Sequence, residues 1–228
     1  MLKTRFLEDS KIEIGVDEAG RGPLWGPLMA AAIILPNANQ WTDSMKALIP
    51  SIKDSKKISA KKRERIAKEL ELNCISFGIG IVSPEEIDTF GATCANQMAF
   101  RRAIDDLYTK LDGRGVEDKR ILLDGTLQLN RQLPGEECHT IVDGDATYLS
   151  IAAASILAKV HHDTWVVDWC TKNTSDAEKY DLLKCKGYGT VKHREGILRH
   201  GYTDLHRRLY LRKLIPEISV SRYQFVDE

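Results

Sequence analysis

Apolar and polar positions alternate over Ile12, Glu13, Ile14, Gly15 and Val16, the period of a half-buried strand, and the Gly/Pro-dense run that follows, Gly20 to Pro27, can only be a loop. Asp17 and Glu18 are therefore expected where a strand gives way to a turn. Leu28 to Leu35 is a continuous apolar run suited to a buried strand, and Asn73 to Val82 reads as another. Between them, Ser59 to Leu70 has the period of a helix, with Ser59 as its N-cap. Ser83-Pro84-Glu85-Glu86 is a strong helix start, with serine at the cap, proline at the first position and acids in the first turn. That helix is expected to run to about Leu111, with a break at Gly91. Asp112-Gly113-Arg114-Gly115 makes a loop before a short strand, Arg120 to Leu123, and another short strand, His139 to Val142, precedes a long helix from about Tyr148 to Cys170. Early strands followed by strands mixed with long helices predict a mixed α/β layer with helices covering a central sheet.

Composition changes this picture little. A chain of 228 residues is long enough for one well-buried domain and a small appendage, and 43% apolar with 29% charged residues is ordinary for a soluble globular protein. No apolar run approaches the length of a membrane span, and the first residues lack the apolar core of a secretory signal, so a cytoplasmic address is the expectation. The 5 cysteines share no Cys-x-x-Cys spacing, which argues against a disulfide framework and a zinc site. Formal charge balances at zero, so only local patches can draw in a polyanion. Lys53, Lys56, Lys57, Lys61, Lys62, Arg63 and Arg65 crowd one stretch, and Lys192, Arg194, Arg199, His206, Arg207, Arg208, Arg212 and Lys213 make a second. Either is ordinarily a solvated helix face; two of them flanking a carboxylate-rich middle look more like a surface that grips a phosphate backbone.

The chemistry lies in the acids. Neighbouring strand residues point to opposite faces, so Asp17 and Glu18 can aim at one metal only if the backbone turns there, and Gly20 and Gly22 allow that freedom. Asp124-Gly125-Thr126 closes the strand ending at Leu123, and Asp143-Gly144-Asp145 closes the one ending at Val142. Aspartate before glycine is common turn chemistry, and Asp143 suits a turn. Several strand ends in one sheet, each tipped with acid, become tolerable when a divalent cation sits among them, and oxygen-only ligands point to magnesium or manganese. On the helix that follows, Ser150, Ala152, Ala153, Ala154, Ser155 and Ala158 form a small-residue face read as close packing against the sheet.

With Asp17, Glu18, Asp124 and Asp145 identified, the chain resembles ribonuclease HII, the type 2 ribonuclease H family. The likeness is carried by Asp17-Glu-Ala-Gly-Arg-Gly-Pro-Leu-Trp-Gly-Pro27, Asp54-Ser-Lys-Lys57, Leu123-Asp-Gly125, the run from Gly144 to Val160, and Lys186-Gly-Tyr-Gly-Thr190, in the family's order. The resemblance implies a ribonuclease H-like α/β fold, a central mixed sheet flanked by helices, over residues 1–190, with a small helical C-terminal extension over 191–228. It implies that the four acids are catalytic metal ligands for Mg2+ or Mn2+, two ions in the substrate complex, and that the phosphodiester 5′ to a ribonucleotide is hydrolysed in RNA-DNA hybrids and in duplex DNA with embedded ribonucleotides. Gly20, Arg21 and Gly22 match the family's sensor of the ribose 2′-hydroxyl, Tyr188 the tyrosine that stacks on the following deoxyribose, and Ser55, Lys56 and Lys57 the residues that grip the backbone. Lys159 comes within reach of a phosphate, and Asp163 is a peripheral acid near the metals. The chain departs from the family pattern at Trp25, where a small residue is usual, at His162, where arginine is, and at Gly91, where asparagine is. Of the competing readings, ribonuclease HIII normally carries an added N-terminal domain, a non-catalytic hybrid binder has no use for the acids, and a phosphatase has none for Tyr188. The chain is expected to be a monomer, and only the pair Gln224-Phe225 hints at a replication clamp as partner.

Overall fold

The computed structural model describes residues 2–111 and 118–218. The loop expected at Asp112 to Gly115 and the tail with Gln224 and Phe225 lie outside the described residues. Strand β1 (Ile12–Ala19) leads through the Gly/Pro loop into β2 (Leu28–Ile34), followed by helices α1 (Asp43–Leu48) and α2 (Ala60–Asn73), strand β3 (Ser76–Val82) and the long helix α3 (Pro84–Thr109). Strands β4 (Lys119–Asp124) and β5 (Glu136–Ile141) precede α4 (Leu149–Lys172), and the chain ends in α5 (Thr174–Lys179), α6 (Leu182–Cys185), α7 (Val191–His200) and α8 (Arg208–Leu211).

The sheet order is β3-β2-β1-β4-β5, with β1, β2 and β3 antiparallel and β1, β4 and β5 parallel. A hairpin can join antiparallel neighbours, whereas the parallel β4 is reached only by a crossover, which α3 supplies. Alternation sorts the side chains cleanly. Ile14, Val16, Ala30, Ala32, Ile34, Ile121 and Leu123 pack under α3, while Ala31 and Ile33 pack under α2 and α4. Strand β2 is buried throughout, which is why it reads as an unbroken apolar run. Helix α3 lies almost in contact with β3: a Cβ at Gly78 would stand 2.1 Å from the Ala103 carbonyl oxygen and one at Gly80 2.0 Å from that of Ala99. On the other face the small residues of α4 let it sit equally close, and Ala152, Ala153 and Ala154 are wholly buried.

The expected helix start is present in full, since the Ser83 hydroxyl accepts from the Glu86 amide while the Glu86 carboxylate accepts from the Ser83 amide. The expected break also occurs: Gly91 takes φ 81°, ψ 161°, a conformation open only to glycine, and α3 kinks there. The bounds of β1, β3 and β5 differ most from those the sequence predicts. Strand β1 continues through both acids to Ala19, because Asp17, Glu18 and Ala19 still pair with Ala31, Ala30 and Met29 of β2. Strand β3 starts at Ser76, since α2 extends to Asn73, and β5 starts at Glu136, whose carboxylate is held by Arg101 at 2.8 Å. Ser59 occupies the N-cap position of α2 without a side-chain bond. All 5 cysteines are free thiols, and among the described residues no helix is long and apolar enough to cross a membrane.

A third apolar cluster lies beyond the sheet, where Val166 and Cys170 at the end of α4 meet Ala177, Tyr180, Leu182, Cys185, Ile197 and Leu211. Trp25 is its anchor from the β1–β2 loop, fully buried, with Trp169 edge-on at 4.7 Å and Trp165 at 5.6 Å between ring centroids. A ring in that position is packing, and no nucleic-acid base reaches it.

Candidate active site

Parallel pairing of β1 and β4 puts Val16 opposite Leu123, so one residue further on Asp17 and Asp124 stand side by side on the α4 face of the sheet. Asp17 is 6% exposed, and its carboxylate accepts from the Glu18 amide at 2.7 Å and from the Ser155 hydroxyl of α4. Burial pushes its carboxyl well above the usual range, and the charges of Glu18 and Asp124 push it further. Because β1 does not turn at the acids, Glu18 leaves from the opposite face, where the Asn96 amide of α3 lies 3.5 Å away and the Arg21 guanidinium 3.8 Å away. Burial raises Glu18 too, with Arg21 and Asn96 opposing. Asp124 accepts from the Asp145 amide at 3.2 Å; burial raises its carboxyl, the backbone bond lowers it, and the Asp145 carboxylate raises it again. Asp143, as expected, serves the turn in left-handed conformation at φ 52°.

The four sequence-identified acids thus form one electrostatic group at the carboxyl ends of β1 and β4 and the turn after β5. Among the described residues, no three His, Cys, Asp or Glu side chains close into a metal cage by themselves. The group offers only oxygen donors, and the carboxyls of Asp17, Glu18 and Asp124 resist ionisation because burial and neighbouring carboxylates oppose it, which is the environment a hard divalent cation relieves.

Beside the acids, Gly20 takes φ 81° and its Cα faces the buried His162 ring, so a Cβ there would lie 2.5 Å from that ring. His162 therefore fills the space under the loop; burial lowers its pKa, and its Nδ1 lies 3.2 Å from Asp163. Arg21 and Gly22 are exposed. Gly22 has an ordinary φ, and a Cβ on it would come 3.7 Å from the Tyr188 ring, so the loop and Tyr188 adjoin. Tyr188 is 42% exposed, and the Lys159 ammonium stands 5.8 Å from its ring centre. Lys159 is also bonded to Asp163 at 2.7 Å, and Asp163 further faces Arg63 at 3.7 Å. Asp163 is thus engaged with cations rather than with the four acids.

Lys56 and Lys57 are exposed, and the Lys56 charge lowers the Asp124 pKa, which puts that ammonium on the acids' side. Ser55 is buried and lies 3.1 Å from the Ser155 hydroxyl, so its reach is to Asp17 through Ser155 and not to solvent. The second basic stretch is less uniform than its sequence: His206 and Arg207 are buried at 1% and 0% exposure, so neither belongs to a surface patch. Two residues touch the site directly without having been expected there: Asn96, which the sequence does not single out, and Arg207, which it places in a basic surface stretch. Asn96 lies inside a helix with nothing local to mark it, and Arg207 is hidden within a run of cations.

A family model described as Ribonuclease HII matches residues 14–213. A ribonuclease HII of Parabacteroides distasonis is 40% identical over 214 residues, covering 93% of this chain and 95% of the relative. One of Porphyromonas gingivalis is 41% identical over 209 residues, covering 91% and 92%. Among solved structures, the ribonuclease H2 of Pyrococcus horikoshii OT3 superposes with a TM-score of 0.66 at 24% identity, over 89% of this chain and 96% of that one, a likeness of fold. A match of this length and identity, on a chain with this sheet and these strand-end acids, means that the protein belongs to the ribonuclease HII family of endoribonucleases, which cleave RNA in RNA-DNA hybrids.

Proposed function

We propose that the chain hydrolyses the phosphodiester 5′ to a ribonucleotide, in RNA-DNA hybrids and in duplex DNA with embedded ribonucleotides, leaving 5′-phosphate and 3′-hydroxyl ends. One observation carries this reading: the acid group of Asp17, Glu18, Asp124 and Asp145 meets the exposed Arg21-Gly22 segment where the Arg21 guanidinium comes within 3.8 Å of Glu18, and that segment in turn adjoins the Tyr188 ring. A phosphodiesterase for any nucleic acid needs only the acids. An enzyme that selects a ribonucleotide also needs a surface for the sugar next to them.

Asp17, Glu18, Asp124 and Asp145 are the residues that would hold Mg2+ or Mn2+, two ions when substrate is bound, an arrangement that suits Asp17 and Glu18 side chains leaving β1 on opposite faces better than one shared ion. Magnesium is ordinarily held by a few carboxylates, with water and phosphate completing its shell. Such ions supply an activated water and charge neutralisation at the leaving oxygen. The chain's own residues do the rest. Ser155, backed by Ser55, and the Glu18 amide orient the Asp17 carboxylate. Lys56 and Lys57 meet the phosphate backbone, with Lys159 near the junction. Gly20, Arg21 and Gly22 read the 2′-hydroxyl, and Tyr188 stacks on the deoxyribose after the ribonucleotide. Asp163 holds Lys159 in place instead of binding metal.

In the same reading residues 1–190 form the catalytic unit and 191–228 the extension, and the enzyme works as a cytoplasmic monomer that needs no partner protein for the cut. The metal assignment is tested by titrating Mn2+ into the protein and following the free ion by electron paramagnetic resonance. Wild type should withdraw Mn2+ from solution, and Asp17→Asn or Asp124→Asn should weaken this at least about tenfold, since losing even a group that orients a ligand costs about 10- to 100-fold in metal affinity. Unchanged binding in both variants would contradict the assignment.

A further inference from the structure

Arg207 lies in the segment before α8, far in sequence from the loop it serves. Its guanidinium is fully buried and spends three separate nitrogens on three backbone carbonyls: Nε donates to Gly26 at 2.9 Å, Nη1 to Arg21 at 3.1 Å and Nη2 to Gly20 at 2.7 Å. The Tyr210 hydroxyl donates to the same Arg21 carbonyl at 3.0 Å. In a trans peptide the N–H of the next residue points opposite to the C=O. Carbonyls of Gly20 and Arg21 turned inward to Arg207 therefore turn the amides of Arg21 and Gly22 outward, on the exposed side of the loop. Burial lowers the Arg207 pKa to about 10, so it remains a cation at neutral pH and polarises both peptides toward their outward N–H groups.

The neighbouring residue does the same for Tyr188. The Thr203 amide donates to Nδ1 of His206 at 2.9 Å, so that nitrogen carries no proton and His206 Nε2 does. His206 Nε2 then donates to His193 Nε2 at 3.2 Å, and His193 Nδ1 donates to the Tyr188 carbonyl at 2.9 Å. Main-chain bonds close the frame: the Arg207 amide donates to Leu24 at 2.8 Å, and the Leu24 amide to Gly187 at 2.8 Å.

We infer that His206 and Arg207 are positioning residues for substrate selection: Arg207, with Tyr210, sets the outward amides of the Gly20–Gly22 loop, and His206, through His193, sets Tyr188 against it. The inference rests on the proposed reading of that loop as the ribose sensor. A lysine at 207 keeps the charge but cannot span three carbonyls lying in different directions, which needs the fixed fork of arginine.

The test measures kcat and KM on duplex DNA with one ribonucleotide, and Ki for the same duplex in all-DNA form as competitor. Arg207→Lys should raise KM about tenfold and leave Ki within about twofold, because the sugar-reading amides are displaced while the phosphate grip is intact. Tyr210→Phe, which leaves the buried cation in place, should raise KM by a smaller factor at unchanged melting temperature, and covers the case in which Arg207→Lys does not fold. His206→Gln should lower cutting at an RNA-to-DNA junction more than cutting of an all-RNA strand. KM and Ki rising together, or kcat falling alone in proportion to the folded fraction, would overturn the positioning role. Gly20→Ala, which alters the loop itself because φ is +81° there and a Cβ would lie 2.5 Å from the His162 ring, is measured beside them. Selection lost in Gly20→Ala but kept in the Arg207 and Tyr210 variants overturns the brace alone; selection kept in all of them overturns the sensor reading too.

Discussion

Burial of the Asp17 carboxyl next to two others makes it harder to ionise, so its folded-state pKa lies above its unfolded one. Asp17 therefore opposes folding as pH rises from its ordinary value through its raised one, where the unfolded chain ionises and the folded chain resists. Asp17→Asn, which keeps the shape and the acceptor for the Glu18 amide, should therefore stabilise the metal-free protein at neutral pH while abolishing cleavage. Thermal melting without divalent ions checks this. A gain of a few degrees is expected, each kcal/mol moving a chain of this size by roughly 2–4 °C, and a lower melting temperature would count against the electrostatic account. Tyr188 makes a second prediction at this scale. Tyr188→Ala should reduce cutting at an RNA-to-DNA junction on the order of tenfold, the size of one lost stacking contact, and cutting of an all-RNA strand much less; equal losses would remove its junction role. The positions of Asp124 and Asp145 were legible from sequence because each adjoins a glycine where a strand gives way to a turn, and those of Asp17 and Glu18 because the Gly20–Pro27 loop follows within three residues, both local patterns. Trp25 was not: whether a ring stacks on a base or fills a core depends on Trp165 and Trp169, which come from a helix far along the chain.

Strands and helices were legible where periodicity or capping is local, as at β2 and the Ser83–Glu86 box. The extension of β1 through Asp17 and Glu18 was not, since pairing with Ala30 and Ala31 decides it and pairing is not local. Its consequence is that the acids face opposite sides of the sheet, held separately by Ser155 of α4 and Asn96 of α3. Close helix packing predicts that Gly78→Ala, with a Cβ 2.1 Å from the Ala103 oxygen, costs about 3 kcal/mol, as an overpacked core does, readable as a lower urea midpoint. His206, in the segment before α8, carries a pH dependence of its own. Burial lowers the His206 pKa from 6.5 to about 3, so below pH 6.5 the unfolded chain takes up a proton that the folded chain refuses. Stability should then fall with pH from 6.5 downward, by about 1.4 kcal/mol per pH unit for this group. The acids contribute equally in wild type and His206→Gln, so the difference in their urea midpoints between pH 6.5 and 5 isolates the histidine; parallel curves would contradict its buried, neutral state.

The whole molecule has no net charge to steer a polyanion, and the two basic stretches do not act alike. Lys56 and Lys57 are exposed, Lys56 on the acids' side, whereas His206 and Arg207 turn inward and brace the loop that adjoins Tyr188. Binding is thus expected to depend on a few phosphate contacts near the site, and selectivity on the sugar surface between the Gly20–Gly22 loop and Tyr188. That division separates the present account from a general hybrid nuclease, and one substrate tests it. Duplex DNA with a single embedded ribonucleotide, incubated with Mg2+ or Mn2+ and resolved at nucleotide resolution, should be nicked once, on the 5′ side of the ribonucleotide, leaving a 3′-hydroxyl and a 5′-phosphate, and Asp145→Asn should leave it intact. An enzyme that spares this duplex yet cuts long RNA tracts, or that cuts it equally well with Asp145 replaced, would contradict the account.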